Sequence, residues 1–94
     1  MTTYTTTAGN VAFYMNLAVV ASTPDEAETK FLTFIADSKA EDEEYEMALA
    51  ISPDAERAQY KYTLGEITAL DDYDTITGYQ IGDAVVMTNS GANG

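Results

Sequence analysis

The chain contains no cysteine and no histidine. Without cysteine there is no disulfide framework, no thiolate nucleophile and no zinc-thiolate site, which excludes a secreted miniprotein held by staples. Without histidine, the commonest general acid/base near neutral pH and the commonest transition-metal ligand are both missing, so histidine-dependent triads and zinc hydrolase centres are excluded as well. Positive charge is scarce: sixteen Asp and Glu face only Lys30, Lys39, Arg57 and Lys61, for a formal net charge of -12. Such a field repels nucleic acid and anionic membranes, keeps the chain soluble, and attracts cations and basic protein surfaces in a salt-dependent way.

Long apolar runs are missing too. None reaches the ~18 residues a membrane-spanning helix needs. Val11 to Ala21 has the length and apolarity of a signal-peptide core, with Val19-Val20-Ala21 resembling a cleavage site, but the ten residues before it carry no Lys or Arg. The expectation is a nontargeted cytosolic protein, in the host cytosol if a phage encodes it. No glycine loop can cradle phosphate either, since Gly78 and Gly82 lack the spacing and no Lys follows them.

What is present is a globular composition. With 94 residues, 46% of them hydrophobic and 21% charged, the chain can bury one core of its own but not two. Thr2 to Thr7 is β-branched and suits a strand, and Gly9-Asn10 is a turn signal. Val11, Phe13, Met15, Leu17 and Val19 alternate with neighbours that include Ala18 and Val20, the pattern of a largely buried strand. At Ser22-Thr23-Pro24-Asp25-Glu26, Thr23 can cap a helix, Pro24 suits its first position, and Glu26 completes a capping box. Ala27, Phe31, Phe34, Ile35 and Ser38 then recur at helical spacing, which predicts an amphipathic helix over 24–38.

Residues 44–51 are ambiguous between helix and strand. Their composition favours helix, but Tyr45, Met47, Leu49 and Ile51 alternate strictly with Glu44, Glu46, Ala48 and Ala50, and this period of two favours a strand with one wet face. Ser52-Pro53-Asp54-Ala55 reads as a tight turn, or as the cap of a short helix through Arg57. Tyr60, Tyr62 and Leu64 read as the return strand of a hairpin, with Lys61 on the face of Glu44 or Glu46. At Gly65 the apolar positions change phase, which predicts a bulge. Asp71-Asp72-Tyr73-Asp74 reads as a turn, residues 75–88 as strand with bends at Gly78 and Gly82, and the Asn, Ser, Gly and Ala of 89–94 as a disordered tail. The expected architecture is one α+β domain over 1–88, a single amphipathic helix packed on an antiparallel sheet of four or five strands in β-α-β-β-β order.

The densest chemical feature is Asp37, Glu41, Asp42, Glu43, Glu44 and Glu46, six carboxylates in ten residues. Asp25, Glu26 and Glu28 form a second patch. Duplex DNA carries a charge every ~1.7 Å along its axis, and closely spaced carboxylates can compete for the same Lys and Arg groups. The plainer reading of these acids is a solvated surface serving solubility, or adaptation to molar salt.

Calcium would need oxygen ligands, which Asp71, Asp72, Asp74 and Asp83 offer, but an EF-hand register from Asp72 fails at Ile76 and at Thr77, where glycine is required. No metal or cofactor is expected. Paired carboxylates can hydrolyse glycosides, but only in a deep cleft that one small core has little room to build. Tyr45, Tyr60 and Tyr62 suit cross-strand packing better than stacking on bases, which takes a basic groove.

In size and charge the chain resembles the small acidic inhibitors that phages and mobile elements encode, several anti-CRISPR and anti-restriction proteins among them. The likeness is one of composition and covers no motif. The expectation that follows is a non-enzymatic DNA mimic that binds a protein with a basic surface, such as a nucleic-acid-handling complex, and does not bind nucleic acid or membrane. The alternative is a structural or accessory subunit, a virion or assembly component, lending an apolar strand edge from Val11 to Val20 or from Tyr79 to Met87.

Overall fold

The computed structural model describes residues 1–70, 75–76 and 79–93. Strands β1 (Thr2–Gly9) and β2 (Phe13–Ala21) form an antiparallel hairpin in register from Thr2 opposite Ala21 to Gly9 opposite Tyr14. Asn10 closes it, its Oδ1 accepting from the amides of Ala12 at 2.8 Å and Phe13 at 2.7 Å. The pleat sends Tyr4 and Ala8 of β1 to the same side as Met15, Leu17, Val19 and Ala21 of β2, and all six are buried there.

Helix α1 (Pro24–Ser38) covers that face with Ala27, Phe31 and Ile35, spaced four apart so that they form one stripe. Its start is as the sequence predicts. Thr23 Oγ1 accepts from the Glu26 amide at 3.1 Å, and the Glu26 carboxylate reaches back to the Ser22 amide at 3.2 Å, one residue before the cap itself.

The end of α1 is less ordinary. Lys39, with φ 58°, is both the C-cap of α1 and the residue before a second helix, α2 (Ala40–Ile51). Left-handed backbone at a residue with a Cβ costs roughly 1–2 kcal/mol. Ser38 helps hold the joint by donating from Oγ to Ile35 O at 2.7 Å and accepting from the Ala40 amide at 3.2 Å.

Helix α2 corrects the strand expected over 44–51 and raises the helix number from one to two. The reason lies in which side chains find partners. Ala40, Glu44 and Ala48, with Glu41 and Tyr45 beside them, face inward at a spacing of three and four, whereas Met47, Leu49 and Ile51 are exposed. The alternation of apolar residues therefore reports no buried strand face, and the propensity of Ala, Glu, Met and Leu prevails, with Glu41, Asp42 and Glu43 suiting the positive end of the helix.

The expected hairpin between 44–51 and Tyr60–Leu64 falls with it. Ser52 O accepts from the Ala55 amide at 3.2 Å in the predicted turn, and a short 3-10 helix (Arg57–Tyr60) follows. Strands β3 (Thr63–Leu64) and β4 (Thr68–Leu70) then pair successively along β1. Between the Ala8–Leu64 and Thr5–Thr68 pairs, three steps on β1 face four on the other side, so an extra residue is accommodated. The bulge predicted at Gly65 lies in this interval, with the Gly65 amide donating to Thr7 O at 2.7 Å.

Among the described residues, strands β5 (Thr75–Ile76) and β6 (Tyr79–Gln80) pair with each other and with no other strand. The predicted turn at Asp71-Asp72-Tyr73-Asp74 and the bend at Gly78 lie outside the described residues.

Strand β7 (Val86–Ala92) pairs antiparallel with β2, with a register shift at Asn16/Leu17. The tail expected to be disordered from 89 is thus strand as far as Ala92, and Asn93 donates through its side chain to Asn10 O at 2.7 Å. The Tyr14 ring lies over Gly91, where a Cβ would come within 2.7 Å of Tyr14 Oη and the ring would have to shift to admit a larger residue.

The result is an α+β fold in which a five-stranded antiparallel sheet, with β3 and β4 on one edge of β1 and β7 beyond β2, carries α1 on one face. Among the described residues no helix is long and apolar enough to cross a membrane.

Candidate acidic binding surface

The charge is segregated along the chain. Residues 1–24 and 84–94 contain no charged side chain, so β1, β2 and β7 are neutral, whereas α1 and α2 together carry nine of the acids. These nine are the residues singled out from the sequence, and the fold sorts them into outward groups and bound ones.

On α1, Asp25 and Glu28 are exposed, and Glu26 is half-buried between the Ser22 amide and a 3.5 Å ion pair with Lys30. Asp37 is exposed near the end of the helix, where it shares the rim of a shallow groove with Lys30 and Asp83.

On α2, Asp42 pairs with Arg57, whose guanidinium also lies 5.4 Å over the Tyr45 ring. Glu43 and Glu46 are exposed. Glu41 and Glu44 turn inward. The Glu41 carboxylate accepts from the Tyr62 amide at 2.5 Å, and Glu44, only 7% exposed, accepts from the Tyr62 hydroxyl and from Asn10 Nδ2, each at 2.5 Å. A buried carboxylate is costly unless hydrogen-bonded, and charge-assisted bonds from a phenol and an amide provide that compensation. Burial pushes the Tyr62 phenol above its usual range, and the Glu44 hydrogen bond and the charges of Glu44 and Glu41 push it further the same way, so Tyr62 remains a proton donor at neutral pH.

The single acidic cluster read from the sequence is therefore two sets. Glu41 and Glu44 fasten α2 to the hairpin turn and to the segment before β3. Asp37, Asp42, Glu43 and Glu46, with Asp25 and Glu28 on α1, point to solvent. Asn10, Arg57 and Tyr62 have roles that local pattern does not announce, because their partners lie fifteen to thirty-four residues away.

None of the outward acids on α2 lines the shallow groove beside Asp37 or either of two further hollows among the described residues. An apolar recess of about 420 Å³ runs between Phe34, Ser38 and Ala40 on the helical side and Phe13, Met15 and Met87 on the sheet. A polar hollow of about 650 Å³ is lined mainly by threonine and asparagine, with Glu66 as its one acid. Among the described residues no three carboxylates converge in a way that could hold a metal ion.

Strand β2 is paired by β1 over Tyr14–Ala21 and by β7 over Phe13–Ala18, so Tyr14 to Ala18 offers no free edge, against that part of the strand-edge alternative. The edge beside it belongs to β7, where Met87 is exposed. No family model, curated protein or solved structure matches the chain.

Proposed function

We propose that the protein is a non-enzymatic acidic binder that occupies part of the basic groove of a nucleic-acid-handling complex, as an inhibitor of the DNA-mimic type. The observation that carries this reading is the segregation of charge: outward carboxylates on two consecutive helices, and strands that carry none. The longest dimension is 47 Å, along which duplex DNA carries about 28 phosphate charges, and the net charge of -12 is under half of that. The charge suffices to contest a patch of Lys and Arg rather than to replace a whole duplex.

The residues assigned to contact are Asp25, Glu28, Asp37, Asp42, Glu43 and Glu46, while Glu26, Glu41 and Glu44 serve their own helices. Partners retained on the immobilised protein at low salt, eluted by a salt gradient and identified by mass spectrometry, provide the test. Duplex DNA is expected to displace them competitively. Reversal of Glu28, Asp37, Glu43 and Glu46 to Lys is expected to weaken binding by orders of magnitude and to flatten its salt dependence. Unchanged affinity in a folded variant overturns the proposal.

A second reading, an accessory subunit that lends a strand edge, is favoured by the absence of charge from Ala84 to Gly94 and by the lack of an outer partner for β7 among the described residues. Binding of that kind tolerates salt, so the same gradient separates the two.

A further inference from the structure

The apolar recess of about 420 Å³ is walled by Phe34 on α1, Ala40 at the start of α2, Phe13 and Met15 on β2, Met87 on β7, and Tyr62. No Asp, Glu, Lys or Arg lines it, in a chain with sixteen acids and four bases. Phe13 and Met87 stay 37% and 45% exposed, so apolar surface is left open here. Both walls are fixed in place. The Asn93 amide donates to Ala12 O at 2.8 Å and its side chain to Phe13 O at 3.2 Å, which holds the end of β7 beside β2. Across the recess, the bonds of Ser38 to Ile35 O and to the Ala40 amide set the start of α2 against α1. A preformed, mostly apolar concavity of this size is what small ligands occupy.

We propose that the recess binds a small, flat, uncharged aromatic molecule of two or three fused rings with at most one polar substituent. A cavity of about 150 Å³ holds benzene, so this volume takes two or three rings. The rings of Phe13, Phe34 and Tyr62 and the sulfurs of Met15 and Met87 favour an aromatic guest. Charge selects against an ion. The charged residues nearest in sequence to the walls, Asp37 and Glu41 with Lys39 and Lys61, are two of each sign. The net charge of -12 disfavours an anion, and a cation finds no carboxylate on the walls. Polar capacity is small as well. Tyr62 Oη and Ser38 Oγ are engaged, and Tyr14 lays its ring over Gly91. Ser90, opposite Met15 and so on the recess side, keeps a hydroxyl without a partner among the described residues. The site is separate from the acidic surface, and its failure leaves the acidic-binder reading standing.

The test is an NMR titration of the full chain at neutral pH with 2-naphthol and with two charged analogues of the same rings, 2-naphthoate and 2-naphthylmethylammonium. 2-Naphthol is expected to give saturable shifts of the Met15 and Met87 methyl signals and to leave Met47, exposed on α2, unmoved. It is expected to bind about tenfold or more tightly than either charged analogue. Ser90→Leu fills the recess from its wall and is expected to lose about tenfold or more of the 2-naphthol affinity. Ser90 is exposed, and a thermal melt of the variant checks that the fold is unchanged.

Shifts that do not saturate, equal shifts at Met47, a charged analogue that binds as tightly, or a folded Ser90→Leu variant of unchanged affinity overturns the proposal. Concentration-dependent shifts of Phe13 and Met87 without any ligand also overturn it, in favour of a second copy as the occupant. If Ser90→Leu fails to fold, the analogue series on the native chain decides alone.

Discussion

Helices α1 and α2 follow one another with a single residue between them, yet they are held by opposite means, α1 packed on the sheet and α2 tied to the hairpin turn and the segment before β3. α1 buries Ala27, Phe31 and Ile35 and leaves most of its acids in water. α2 buries Glu44 and leaves Met47 and Ile51 in water. The hydrophobic effect is non-directional and holds α1 through area, whereas α2 is held by a few directional bonds whose loss strands polar groups away from water. The first kind of attachment tolerates conservative change and the second does not.

That contrast breaks most sharply at Phe31, fully buried at the centre of the α1 stripe. Phe31→Ala should destabilise the protein by about 3–5 kcal/mol, read as a fall in the denaturation midpoint at unchanged m-value. For α2 the comparable change is Glu44→Ala, which leaves the Tyr62 hydroxyl without its acceptor and removes one from Asn10. A loss of about 1–3 kcal/mol is expected. A double-mutant cycle with Tyr62→Phe should show coupling; additive effects would mean that area, not hydrogen bonding, holds α2 as well.

The same pair gives an alkaline signature. The Tyr62 pKa is higher in the folded chain than in the unfolded one, so the unfolded state releases this proton first as pH rises. The associated stability is complete below about pH 10, the ordinary phenol value, and declines above it. Denaturation followed from pH 8 upward should show the decline, and Tyr62→Phe should remove that component. Smallest of all is Ile51→Ser at the exposed last residue of α2, expected to change stability by no more than about 0.5 kcal/mol, against the large loss at Phe31.

The same difference decides what was legible. α1, β2 and the phase change at Gly65 are written in neighbouring residues: a cap, a proline, a spacing, a glycine. α2 is not, because its apolar residues satisfy a period of two while its inward contacts follow the helical period, and the arbiters, Asn10 and Tyr62, lie far along the chain. The position of the acids was legible and their direction was not, for the same reason. The strand at 89–92 is not legible because Asn and Gly are poor strand formers alone, and the ring that covers Gly91, Tyr14, belongs to another strand.

Lys39 sets the direction in which α2 leaves α1. One residue with left-handed torsions is the whole pivot, and the inward ties of Glu41 and Glu44 act as a clasp further along the arm. Were the clasp opened, rotation about that single joint would swing twelve residues and five carboxylates together as a rigid boom. The aim of the negative charge is therefore governed by two small fixtures, neither of which need touch a partner.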